Sequence, residues 1–180
     1  MCRGARERDL HLAHDVPRSN DRIRRCAVSY PFVFGVGVPM RDFHITRQIG
    51  APIEKTWAVL ADIDHWPEWT RSVSRVEALS DAPMGVGSRV RVHQPRLRPV
   101  VWEVRDWQPA RRFVWQSGIP GLHIVADHLL EPSEHGCMAA LHLRYDGPLG
   151  AVVGILGKRI TTRYLAFEAD GLKARSEGAI

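Results

Sequence analysis

Cysteine is scarce in this chain. Cys2, Cys26 and Cys137 are its three cysteines, and their odd number and wide spacing leave neither a CxxC pair nor a disulfide framework. A reducing compartment fits best, and a cytoplasmic protein is expected. Long apolar runs are missing too. The longest, Tyr30 to Met40 and Leu149 to Leu156, fall short of the roughly 20 residues a bilayer demands, so no integral membrane segment is expected. Excess charge is lacking outside the N-terminus. The formal net charge is +5, but residues 1–39 hold seven Arg against four acids and so carry +3 of it, leaving +2 for the rest. A folded part so near neutrality gives little ground for a nucleic-acid partner.

Strong catalytic signatures are absent as well. Gly157-Lys158 lacks the Ser or Thr and the upstream glycine spacing of a phosphate loop. Gly85-Val86-Gly87 is followed by no helix, and Ser72, Ser74 and Ser88 have no nucleophile-elbow glycines around them. His11 and His14 sit in the polar N-terminal stretch, and His123 and His128 are five apart on a strand and face opposite sides. No metal and no cofactor is therefore expected.

What is present reads as one domain with an N-terminal extension. Hydrophobic residues make up 44% and charged residues 25% of the 180, ordinary values for a globular protein. Residues 1–39 are an Arg-rich stretch with no sustained period to Arg25, which predicts disorder. Cys26 to Val38 follows Arg24 and Arg25 in the outline of a secretory signal, but Pro31 interrupts it and no small-residue cleavage site stands out. The simpler expectation is that translation begins at Met40 and that residues 40–180 are the domain.

Within it, Asp42 to Ile49 has the period of a strand. Pro52 opens a short helix with Ile53, Trp57, Val59 and Leu60 on its apolar side, and Asp62 or Asp64 caps a second one carrying Trp66 and Trp69. From Val73 on, strands alternate with turns: Val73 to Leu79, Ser88 to Gln94, Val100 to Trp107, Arg111 to Ser117, His123 to Leu130 and Cys137 to Tyr145. The chain then runs from Pro148 to about Arg175 as one long amphipathic helix, its stripe being Leu149, Val152, Val153, Leu156, Ile160, Tyr164 and Phe167, with Lys158, Arg159, Arg163, Glu168 and Lys173 off it. Gly150, Gly154 and Gly157 in its first half either allow close packing on the sheet or leave a void for a ligand. The expected class is α+β: a curved six- to seven-stranded antiparallel sheet, two short helices after its first strand, and a long C-terminal helix on one face.

That order, with "IGAPIEKTWAVLADIDHWPEW" from Ile49 to Trp69, "GVGSRVR" from Gly85 to Arg91, "PARRFVW" from Pro109 to Trp115 and "DHLLEPSEHGC" from Asp127 to Cys137, resembles the polyketide cyclase/dehydrase and lipid-transport group of the SRPBCC, or START-like, superfamily. The resemblance covers about residues 42–177. It implies the helix-grip fold, START/Bet v 1-like, with a cavity between sheet and helix for a hydrophobic small molecule such as a lipid or polyketide.

Strand parity names the residues facing such a cavity. His128 shares its side with Ile124, Ala126 and Leu130, and Tyr145 with Ala139, Leu141 and Leu143. His128 is either a core histidine or a proton donor and acceptor near neutral pH, and Tyr145 either packs or offers its phenol. These two are the candidate catalytic residues. Trp66, Trp69, Trp102, Trp115, Leu141, Leu143, Val153, Leu156, Ile160 and Tyr164 are the candidate ligand-binding residues, each with plain core packing as the alternative. Arg89, Arg91, Arg96 and Arg98 read as a solvated face, with an anionic partner or ligand carboxylate as the other reading. Carriage or binding of a hydrophobic molecule is the leading expectation, a metal-free cyclase or dehydrase the second, and a protein-interaction module the third. Oligomeric state is not legible.

Overall fold

The computed structural model describes residues 41–179; the expectations of disorder and of a start at Met40 fall on residues outside that range. The chain forms β1 (Arg41–Ile49), α1 (Ile53–Ala61), a 3-10 turn (Ile63–His65), α2 (Trp66–Trp69), β2 (Arg75–Ala78), β3 (Arg89–His93), β4 (Val100–Gln108), β5 (Arg112–Ile119), β6 (Leu122–Ser133), β7 (Gly136–Asp146), α3 (Pro148–Leu156) and α4 (Lys158–Glu177). One seven-stranded sheet runs in the order β1-β7-β6-β5-β4-β3-β2. Consecutive strands from β2 to β7 pair antiparallel, and β1 closes the far edge against β7, Arg41 opposite Tyr145 and Ile49 opposite Cys137.

Turn chemistry explains the hairpins. Ala110, after Pro109, takes φ 56° between β4 and β5, and Gly121 takes φ 83° between β5 and β6. At Gly136 (φ 121°) a Cβ would lie 2.8 Å from the Ala51 amide nitrogen, so only glycine fits where the β6–β7 turn meets the start of α1. A bulge between Val104 and Asp106 breaks the β4–β5 register, and bulges add bend and twist to a sheet.

The concave side carries the core. Leu60, Ile63, Trp66 and Trp69 from the short helical segments meet Val90, Val92, Val104, Phe113 and Leu130 from the strands. A smaller cluster joins Leu141, Leu165 and Ala169. On the convex side Arg91 and His93 bond the Glu77 carboxylate at 2.9 and 3.0 Å.

The single helix expected from Pro148 is two helices, separated at Gly157. Small residues, not the large apolar stripe, decide which face lies on the sheet. In α3 the buried residues are Gly150 and Gly154, and a Cβ on Gly154 would meet the Arg41 stem at 2.6 Å. In α4 the buried line is Thr161, Leu165, Ala169, Leu172 and Ser176. Backbone approach without side chains outweighs burial of Leu149, Val152 and Leu156, which are exposed. No helix among the described residues is long and apolar enough to cross a membrane.

Candidate functional site

Between the concave sheet and the two C-terminal helices lies a cavity of about 320 Å³, at the small end of the range for small-molecule sites. Three tryptophans wall one part of it, Trp66, Trp102 and Trp115. Trp66 is fixed by its indole N–H, which donates to the Leu60 carbonyl at 3.0 Å, and Trp102 stacks on Trp115 with ring centroids 5.2 Å apart. Ala126, Leu141 and Leu143 supply the sheet side; Val153, Ile160, Tyr164 and Leu165 supply the helix side.

Two buried polar pairs interrupt this apolar lining. His128 Nε2 lies 2.9 Å from Glu168 Oε1, with 4% and 13% of the two side chains exposed. The imidazole stacks on Phe113, centroids 4.1 Å apart and planes 13° apart, with Trp66 5.8 Å away. A carboxylate at that nitrogen sets the ring's tautomer and orientation, and imidazole and carboxyl are the two side-chain types most used for proton transfer. Trp115 Nε1 and His128 Nδ1 are buried and find no hydrogen-bond partner among the described residues. The second pair is Tyr145 Oη and Thr161 Oγ1, 3.0 Å apart. Burial pushes the Tyr145 phenol above its ordinary value, and the bond to Thr161 pulls the other way and loses.

The mouth lies where the β3–β4 loop faces the α3–α4 junction. Gln94, Leu97 and Arg98 border the cavity from the loop, and Val153 and Gly157 from the helices. Tyr164 donates its hydroxyl hydrogen to the Pro95 carbonyl and so ties α4 to that loop.

His128, Tyr145, Trp66, Trp102, Trp115, Leu141, Leu143, Val153, Ile160 and Tyr164 all line the cavity. Trp69 and Leu156 do not. Trp69 fills the junction instead, its ring tilted 58° against Trp66 with centroids 5.5 Å apart and covered by Gly171 of α4. Leu156 points to solvent because α3 turns its glycines to the sheet. Glu168, expected off the buried stripe, is the residue that sequence reasoning missed. Its signal is the line Thr161, Leu165, Glu168, Leu172, spaced i, i+4, i+7, i+11, which large apolar residues alone conceal.

The family model described as "Polyketide cyclase / dehydrase and lipid transport" matches residues 40–177. The chain belongs to this family. Among solved structures it is similar to norcoclaurine synthase from Thalictrum flavum, at 17% identity and TM-score 0.64 over 81% of this chain and 99% of that one. It is similar to the Zhui aromatase/cyclase from Streptomyces sp. R1128, at 21% identity and TM-score 0.56 over 78% and 98%. The di-domain ARO/CYC StfQ of the steffimycin biosynthetic pathway aligns at 16% identity and TM-score 0.60 over 78% of this chain and 51% of that one. Identities this low show the fold alone, the helix-grip; the family match carries the SRPBCC superfamily. Among curated proteins none matches the chain.

Proposed function

We propose that this protein binds a hydrophobic small molecule, a lipid, polyketide or similar compound, between the sheet and α4, as a carrier or binding protein. The observation that carries the reading is the chamber itself. Protein interiors leave few voids larger than a water molecule, so about 320 Å³ walled by Trp66, Trp102, Trp115, Leu141 and Leu143 is a space the fold maintains. The membership of a family described by both cyclases and lipid transport supports it. The test is titration of the protein with an apolar fluorescent probe, read by energy transfer from Trp102 and Trp115. Uptake should be saturable and should fall at least about tenfold in Ala126→Phe, which puts a ring into the cavity. Equal uptake by the variant overturns the reading.

A second reading, a polyketide cyclase or dehydrase, is favoured by the buried pair His128–Glu168 beside the apolar wall. Carbon atoms flanked by two carbonyls lose a proton readily, and a carboxylate–imidazole pair in a dry chamber can take and return it. On a poly-β-ketone substrate, Glu168→Gln should lower kcat about a hundredfold while leaving ligand affinity within a few-fold. Unchanged turnover removes this reading and leaves the first intact.

A further inference from the structure

The sequence Pro148-Leu-Gly-Ala-Val-Val-Gly-Ile-Leu156 of α3 contains no polar side chain. A helix apolar all round is ordinarily buried all round. Here only the glycine face is covered, against Tyr145 and Arg41, and Leu149, Val152, Ile155 and Leu156 stand 45, 51, 57 and 81% exposed. Leu97, across the cavity mouth, is 43% exposed. Along the two segments that carry these side chains the charge has one sign. No acidic residue occurs between Asp146 and Glu168 or between Asp81 and Glu103. Arg96, Arg98, Lys158, Arg159 and Arg163 are exposed. Among the described residues none of the five takes part in an ion pair, whereas Arg47, Arg91, Arg112 and Arg144 do.

We propose that the outer face of α3, with Leu97 and this unpaired basic rim, docks on an anionic lipid surface. An aliphatic wedge bordered by cations has the composition of a helix that lies in the headgroup region of a bilayer. Stable protein interfaces instead favour aromatic side chains and direct hydrogen bonds, and α3 offers neither. Val153 and Gly157 of the same segment border the cavity, as do Leu97 and Arg98, so the docked face sets the mouth against the bilayer. Docking is independent of what the cavity holds and is read without a ligand.

The experiment is co-sedimentation of the full chain with vesicles of phosphatidylglycerol and phosphatidylcholine, against phosphatidylcholine alone. Wild type should partition onto the anionic vesicles at least about tenfold better, and added salt should weaken it. Ile155→Glu with Leu156→Glu should lower that binding about tenfold, and so should Lys158→Glu with Arg159→Glu, which leaves the apolar contacts alone. Val86→Glu, at an exposed apolar residue in the β2–β3 loop, should bind as wild type does. No preference for anionic vesicles overturns the proposal. So does binding that survives both double variants, which assigns it to residues 1–39 with their seven Arg against four acids. A dimer in sedimentation that Ile155→Glu with Leu156→Glu dissolves gives the face to a second copy and equally overturns it.

Discussion

His128 of β6 and Glu168 of α4 meet at 2.9 Å and join the sheet to the long helix through a pair almost closed to water. Removing the imidazole alone leaves the mostly buried Glu168 carboxyl without its hydrogen-bond partner, and losses of this kind run to about 1–3 kcal/mol. His128→Leu should therefore lower the urea midpoint sharply, and His128→Leu with Glu168→Leu should recover most of the loss. Two single losses that simply add would show that the pair is not coupled.

Tyr145→Phe removes a hydroxyl from a buried pair. The buried Thr161 oxygen loses its partner, and a cost of about 1–3 kcal/mol is expected in denaturant unfolding. Because the folded phenol sits above its ordinary value of 10, the unfolded chain releases that proton first. The contribution is whole below pH 10 and is lost as pH rises above it. Ultraviolet titration should show a phenol ionising above pH 10 that Tyr145→Phe lacks.

His142, on the convex face and stacked on His44 at 5.7 Å, is held below its ordinary value of 6.5, chiefly by burial. The unfolded chain takes up this proton as pH drops through 6.5 while the folded chain declines it, so stability falls toward acid. His142→Gln should flatten the stability profile between pH 7.5 and pH 5. An unchanged slope would remove His142 as a source.

Gly171→Ala places a methyl group 3.0 Å from the Trp69 carbonyl carbon and 3.1 Å from its ring, beside the carbonyl oxygen. Backbone cannot step aside as a side chain end can, so overpacking of about 1–3 kcal/mol is expected despite alanine's better helix propensity. Thermal unfolding reads it; a stabilised variant would mean that α4 lifts off α2 freely.

Strand parity made the sheet legible, and with it the inward side of Ile124, Ala126, His128, Leu141 and Tyr145. Alternation has a period of two and leaves little freedom once one residue is placed. The helices were harder to read for a physical reason. Seven large apolar residues from Leu149 to Phe167 outline a stripe, yet Gly150, Gly154 and Gly171 admit backbone and side-chain stems where a stripe would require bulk. That turns Leu156 outward and brings Glu168 in. Trp69 misled because a tryptophan three residues from Trp66 shares its side without sharing its depth, and α4 comes down on it through Gly171.

The first strand of the sheet has the last for its neighbour, Arg41 lying opposite Tyr145. During synthesis a ribosome completes every intervening strand before that partner emerges, and α4 later still. The nascent chain therefore carries an open edge on β1 until β7 emerges, and pairing across that edge comes after every other strand has been made.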